Sequence, residues 1–296
     1  MRKRYHLKLK HREIVLGDRT LLMGVLNVTP DSFSDGGKYS DPDRAFARGM
    51  ELEDEGADIL DIGAESTRPG SRRISEAEEL RRMIPVLKRL RGKLTIPISV
   101  DTYKSGVAEK ALEHGAEIIN DPSGVLLDQH LPKIVTKYDA GLIINHMRGN
   151  PETWAKLPPM KDLMRSISID MEAAIHRTRQ AGVQKQQIMI DPGLGFGKRR
   201  EQNSEIIANL DLLAAFDMPI LVGPSRKSFL KREQEDATEF ATAGAVAASI
   251  LNGAHIVRVH DVKAMRSVAE IVDAIRQSER GNSEQQPVQT RWQRGQ

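Results

Sequence analysis

Eight short apolar runs recur along the chain. Each leads into a polar residue or a glycine where packing alone asks for neither. The runs occupy residues 21–25, 59–60, 98–100, 118–119, 142–144, 188–190, 220–222 and 256–259. They lead to Asn27, Asp61, Asp101, Asn120, Asn145, Asp191 and Gly223, and the last run carries Arg258 and ends at His260. Continuous rather than alternating apolar runs are what parallel strands covered on both faces require. Between them lie segments that predict helices at 43–55, 76–90, 105–114, 131–138, 162–181, 203–214, 242–252 and 262–276. Gly56, Gly115, Gly182 and Gly253 close several of these, as residues that take the left-handed C-cap conformation at least cost. Eight β/α repeats predict an α/β fold, a single (β/α)8 TIM barrel with its site on the loops at the C-terminal strand ends.

The flanks differ from this repeat. Residues 5–9 and 13–16 surround a polar turn and predict an N-terminal β-hairpin, so residues 1–20 form a cap suited to closing the N-terminal end of the barrel. The catalytic barrel spans 21–276. Residues 277–296 turn to Gln, Ser, Arg and Gly, with little to bury, and read as a disordered tail. A length of 296 residues suits one barrel with short extensions.

Composition narrows the function. There is no cysteine, which removes thiol nucleophiles, disulfides and thiolate metal sites and fits a reducing cytoplasm. The formal charge of +3 comes from spread basic residues with a local excess only in residues 1–12, unlike the clustered face of a nucleic-acid binder. No apolar run approaches membrane-spanning length. The expectation is a soluble cytoplasmic protein acting on small molecules, with no nucleic-acid or membrane partner.

Three βα-loops, 27–41, 63–75 and 145–160, exceed the usual ~2–6 residues. Asn27 offers a hard amide oxygen suited to Mg²⁺, or serves as a turn residue bonding its own backbone. Thr67 and Arg68 form either a phosphate clamp or an ordinary surface turn before Pro69-Gly70. Asp101, Asn120, Asp191 and Lys227 lie at or just past strand ends and converge on the barrel axis. Together they suit a polar heterocycle with a donor edge and an acceptor edge; the alternative is a structural salt-bridge network. Asp191-Pro192-Gly193-Leu194-Gly195-Phe196-Gly197-Lys198 lacks the dinucleotide glycine spacing, and its glycines suit close backbone approach to a flat ligand. Arg258 and His260 occupy the loop where barrels commonly hold phosphate. His11, His130 and His255 lack such context and read as structural or surface residues.

Met23-Gly24-Val25-Leu26-Asn27-Val28-Thr29-Pro30-Asp31-Ser32-Phe33-Ser34-Asp35-Gly36-Gly37 and Asp61-Ile62-Gly63-Ala64-Glu65-Ser66-Thr67-Arg68-Pro69-Gly70 resemble the two signatures of the dihydropteroate synthase family of folate biosynthesis. Ser99-Val100-Asp101-Thr102, Ile118-Ile119-Asn120-Asp121, Ser225-Arg226-Lys227-Ser228 and Arg258-Val259-His260-Asp261 follow in family order, so the resemblance runs from about residue 21 to residue 276. It implies a pterin-methyl transferase that joins p-aminobenzoate to a dihydropterin-methyl diphosphate with Mg²⁺, works as a homodimer and is blocked by sulfonamides. By position, Asp101, Asn120, Asp191 and Lys227 would hold the pterin, with Arg258 against the ring and Asn27 on the metal. Thr67, Arg258 and His260 would meet the diphosphate, and Phe33, Pro69 and Ser225 would border the aminobenzoate. Asp35 and Arg68, with Asp101 and Lys227, would carry the catalysis. Asn145 departs from the family, which usually has methionine there, in the wall of the pterin pocket.

Two other functions share parts of this pattern. A pterin-binding methyltransferase has no use for Thr67, Arg68, Arg258 and His260. A silent pterin-binding scaffold has no use for Asn27, Asp35, Arg68 or Lys227. Diphosphate release from the two substrates separates all three.

Overall fold

A computed structural model of the chain describes residues 2–29, 42–66 and 70–283. A hairpin comes first, β1 (Tyr5–Lys8) and β2 (Glu13–Leu16), paired antiparallel with Tyr5 opposite Leu16. The barrel strands follow: β3 (Leu21–Asn27), β4 (Ile59–Gly63), β5 (Ile98–Asp101), β6 (Ile118–Asp121), β7 (Gly141–Asn145), β8 (Ile188–Asp191), β9 (Leu221–Val222) and β10 (Ile256–Val259). They alternate with α1 (Pro42–Asp54), α2 (Glu76–Leu90), α3 (Ser105–Glu113), α4 (Leu131–Tyr138), α5 (Leu163–Gln180), α6 (Arg200–Ala208), α7 (Glu235–Leu251) and α8 (Val262–Ser283). The eight strands are parallel in the order β8-β7-β6-β5-β4-β3-β10-β9, and a parallel bridge between Ile190 and Ile220 closes the ring. This is the expected (β/α)8 barrel.

Two cores result, because each strand presents alternate residues to opposite sides. Outward-facing residues such as Leu22, Leu60, Val100 and Ile119 meet the helices in one large cluster. Inward-facing Leu21, Met23, Ile59, Ile118, Ile143, Met189, Leu221 and Ile256 form a second cluster. Leu7, Leu9 and Leu16 of the hairpin belong to that inner cluster. The hairpin therefore stoppers the N-terminal end of the barrel, as expected. Buried Arg2 fastens it by donating to Thr20 Oγ1 at 2.8 Å, to the Ala254 carbonyl at 2.6 Å and to Asp273 at 3.3 Å.

Four helix boundaries differ from the pattern reading, each for a local reason. α6 starts at Arg200 and gives way to a 3₁₀ stretch at Leu210–Phe216. At the break, Asn209 Nδ2 donates to the Glu205 carbonyl at 2.8 Å, a side-chain bond that competes with the helical ladder. α7 starts at Glu235, well before residue 242, because its first turns carry Asp236, Thr238 and Glu239, and their one large apolar residue, Phe240, is exposed, so no buried apolar stripe marks them. α8 runs past residue 276 to Ser283, where a polar composition suits a solvated helix as well as a tail. The residues after Ser283, where the tail was expected, lie outside the described ones. The glycine caps hold: Gly56 (φ 98°) and Gly253 (φ 107°) sit in the left-handed region.

Candidate active site

Along five strands the interior face changes character over two residues. Ile59 gives way to Asp61, Ile118 to Asn120, Ile143 to Asn145, Met189 to Asp191, and Ile256 to Arg258. Side chains two apart on a strand share a face, so these polar groups stand directly above the apolar plug. A slip of one residue would turn every one of them outward. Register also places Asn27, Gly63, Asp101 and Asn120 in one lateral row across β3 to β6, and Asn145 beside Asp191.

Arg258 is the hub. Its Nε donates to Asp61 Oδ2 at 2.6 Å and its Nη2 to Asp101 Oδ2 at 3.0 Å. Asn120 Nδ2 donates to the same Asp61 oxygen at 3.2 Å. Asp61 is fully buried, and its Oδ1 has no hydrogen-bond partner. Burial opposes the charge of Arg258, but Asp61 and Asp101 outweigh it and hold the guanidinium above its ordinary pKa. Burial pushes the Asp101 carboxyl up to about 7, against the pull of Arg258 and with a further push from Asp61.

Asp191 and Lys227 face this cluster from the other half of the barrel. Asp191 Oδ1 accepts from the Gly193 N–H at 2.7 Å, and burial raises its pKa. Lys227 Nζ lies 4.2 Å from the centre of the Phe196 ring. Burial, and then Arg258, bring its ammonium down to about 8, opposed by Asp191 and Asp101. The turn after β9 delivers it. Arg226 sits at φ 56°, a conformation seldom adopted by side chains other than Asn, Asp and Gly. Its guanidinium leaves the barrel for Glu239 of α7 at 3.1 Å, while Ser225 and Lys227 on either side engage the site. Ser225 Oγ lies 2.9 Å from His260 Nδ1.

The glycines at 193, 195 and 197, expected from sequence to let the backbone approach a flat ligand closely, also let the loop fold onto its neighbours. All three have positive φ. A Cβ on Gly193 would stand 2.0 Å from the His146 carbonyl oxygen, one on Gly197 2.4 Å from that of Arg148, and one on Gly195 3.1 Å from Lys227 Cδ. Lys198 ties the loop down from within, donating to the carbonyls of His146, Pro192 and Gly193 at 2.7–2.8 Å. Burial lowers its pKa well below the ordinary lysine value.

Of the residues expected at the site, Asp101, Asn120, Asp191, Lys227 and Arg258 share the polar layer, and Ser225 joins His260 beside it. Asn27 ends the row that contains Asp101. Phe33, Asp35, Thr67, Arg68 and Pro69 lie outside the described residues. The root of the second long loop is anchored through Glu65, whose carboxylate meets Lys104 Nζ at 2.5 Å and the Tyr103 hydroxyl at 3.2 Å. His255 is structural, as expected: buried, it accepts from the Ile220 N–H through Nδ1 and bonds the Lys3 carbonyl through Nε2. The expected ligand set omitted Asp61, Phe196 and Lys198. Asp61 carried the same signal as Asp101, a carboxylate closing an apolar run, while nothing in the sequence marks the burial of Lys198.

A family model described as "Pterin binding enzyme" matches residues 23–260. The chain is 41% identical over 273 residues to the dihydropteroate synthase of Clostridium beijerinckii, covering 91% of this chain and 99% of the relative. A crystal structure of the Clostridium difficile dihydropteroate synthase in the presence of pteroic acid superposes with a TM-score of 0.82 at 42% identity, over 88% of this chain and 98% of that one. The Xanthomonas albilineans dihydropteroate synthase with 4-aminobenzoic acid gives a TM-score of 0.85 at 36% identity, over 93% and 99% of the two chains.

Proposed function

The chain belongs to the pterin-binding enzyme family, and from that premise we infer that it is a transferase of the dihydropteroate synthase type. It condenses p-aminobenzoate with (7,8-dihydropterin-6-yl)methyl diphosphate, giving 7,8-dihydropteroate and diphosphate in folate biosynthesis. One observation of the site supports this above all. Asp101, Asn120, Asp191, Lys227 and Arg258 stand on one interior layer, offering carboxylates to the donor edge of a pterin and an ammonium to its acceptor edge. Mixing both substrates with the chain and measuring diphosphate and dihydropteroate tests the reading. A methyl-transferring relative or a silent pterin binder releases neither.

The reaction joins the aryl amine nitrogen to the pterin methylene carbon while the carbon–oxygen bond to diphosphate breaks, and the amine proton leaves to solvent. An aryl amine is a weak nucleophile, so bond breaking leads and positive charge grows on the pterin methylene. A carboxylate at Asp101 stabilises that charge, and Arg258 and His260 stabilise the departing diphosphate. The site needs no covalent nucleophile.

The residues present fit Mg²⁺. Asn27 Oδ1 and Asp101 Oδ2 each lie 3.8 Å from where a Cβ on Gly63 would stand, so the one glycine of the row leaves space between two hard oxygens. Among the described residues no three His, Cys, Asp or Glu side chains are grouped to hold a metal ion. Asn27 would then hold the ion with substrate oxygens and water completing the shell. When bound, the metal neutralises charge on the diphosphate. Asn27→Ala should therefore weaken binding of the pterin diphosphate with Mg²⁺ in calorimetry and leave a bare pterin unaffected; equal losses for both would count against the assignment.

The finer points of the reading are assembly and location. Phe240 and Leu251 on α7, and Ile271 and Ile275 on the neighbouring α8, are exposed. We assign that face to a second copy of the chain, giving a homodimer, to be checked by light scattering with Phe240→Glu as the variant expected to run as a monomer. Among the described residues no helix is long and apolar enough to cross a membrane. The lack of cysteine supports a reducing cytoplasmic location.

A further inference from the structure

Ser225 and His260 are brought together by strand register. β9 and β10 pair Val222 with Val257, and each of the two residues lies three positions beyond that pair. Ser225 is 6% exposed. Its Oγ lies 2.9 Å from His260 Nδ1 and accepts the backbone N–H of the same histidine at 3.3 Å. A hydroxyl has one proton and two acceptor positions. The His260 N–H fills one acceptor position, and the contact with Nδ1 uses either the hydroxyl proton or the second acceptor position, according to the ring's tautomer. With the hydroxyl proton on Nδ1, a neutral imidazole carries its own proton on Nε2. A protonated ring keeps the same orientation, with Nδ1–H donating to Oγ instead. The backbone on the other side is equally fixed, since Arg226 is held at φ 56° with its side chain on Glu239.

We propose that Ser225 is a positioning residue for His260, pinning the ring by Nδ1 so that its Nε2–H faces the departing diphosphate. This rests on the transferase reading above, and it moves Ser225 from the border of the aminobenzoate to the diphosphate end of the site. A residue that only touched aminobenzoate would have no reason to meet both the ring nitrogen and the backbone N–H of one histidine with a single hydroxyl.

The test is a kinetic split with a rescue, run on the full chain with circular dichroism confirming the fold. In Ser225→Ala, the KM for the pterin diphosphate and the Kd for inorganic diphosphate should rise about five- to tenfold, the size of one hydrogen bond. The KM for p-aminobenzoate should change less than twofold. Ser225→Thr, which keeps the hydroxyl, should restore both values. In a His260→Ala background, Ser225→Ala should add almost nothing, because the group it positions is gone. A rise confined to the p-aminobenzoate KM, or full additivity of the two substitutions, would overturn the proposal. The wild-type chain is the separate control: no diphosphate release from it defeats the transferase reading, whereas normal turnover with additive losses defeats only the role given to Ser225.

Discussion

The two ends of the barrel are built from the same strands and obey opposite rules. At the N-terminal end, the inward residues are apolar and the hairpin leucines seal them from water. Two residues farther along, the same face carries Asp61, Asn120, Asp191 and Arg258. The apolar end gains stability from every methylene it buries. The polar end has paid for charged groups that burial opposes, and it offsets the burial of the Arg258 guanidinium by flanking it with Asp61 and Asp101. The difference teaches that the fold needs the first layer and merely tolerates the second. Substitutions should therefore divide cleanly: below, stability without chemistry; above, chemistry with stability lost only where a charge is left unpaired.

Asp61→Ala should break that division most severely. The fully buried Asp61 accepts from both Arg258 and Asn120, so its removal leaves a part-buried guanidinium with one partner. Stripping one partner from a buried ion pair costs about 3–5 kcal/mol. Turnover should also fall more than 100-fold, since Arg258 loses its orientation. Denaturant midpoints and diphosphate release measure the two effects; an unchanged midpoint would show that Arg258 finds compensation elsewhere.

Leu16→Ala sharpens the comparison from the other end. Leu16 is fully buried in the plug, and truncation should cost about 2–5 kcal/mol. At a temperature where the variant is folded, its kcat should equal that of the wild type. A large loss of kcat would mean that the two layers are mechanically coupled.

Asp101→Asn should do the reverse. Asparagine keeps the size and one acceptor for Arg258, so the pterin still docks, while the charge that meets the growing cation disappears. The loss should appear in the single-turnover rate, by about 10²-fold, with little change in pterin affinity. Poor affinity with a normal rate would make Asp101 a simple anchor for the ring.

How much of this was open to a reading of the sequence follows from the same two layers. Every barrel strand was legible, because parallel strands leave continuous apolar runs, and Asp101, Asn120, Asp191 and Arg258 were legible because they interrupt those runs. Periodicity failed where the energetics are not hydrophobic: the polar first turns of α7, the end of α8, and the side-chain bond of Asn209 that breaks α6. It also failed for Lys198, whose importance lies in three backbone carbonyls that no side-chain pattern encodes. Two of the glycines around it, Gly193 and Gly197, also serve to pack the loop against His146 and Arg148, a use that the sequence pattern does not reveal.

The smallest effect, and the one that reads the polar layer most directly, is on pH. Asp101 is pushed up to about 7 and Lys227 brought down to about 8, in both cases chiefly by burial. If the carboxylate and the ammonium are the working forms, kcat/KM should be bell-shaped, falling below about pH 7 as Asp101 gains its proton and above about pH 8 as Lys227 loses one. Within one pH unit of the optimum the change should be only severalfold. Because the two groups feel each other, the limbs belong to the pair rather than to either residue. Two variants separate them: Asp101→Asn should flatten the acid limb of its residual activity, and Lys227→Arg, with a group that stays charged, should remove the alkaline one. The stability of the fold carries the opposite sign. A carboxyl whose folded pKa exceeds its unfolded value of about 3.8 stabilises the native state in acid and loses that contribution as pH rises to about 7. Asp101→Asn should therefore gain stability relative to the wild type between about pH 4 and pH 7, where the wild type grows more active. Melting curves across that window check it; a constant difference would show that Asp101 titrates alike in the folded and unfolded chains, and that Arg258 fully offsets its burial.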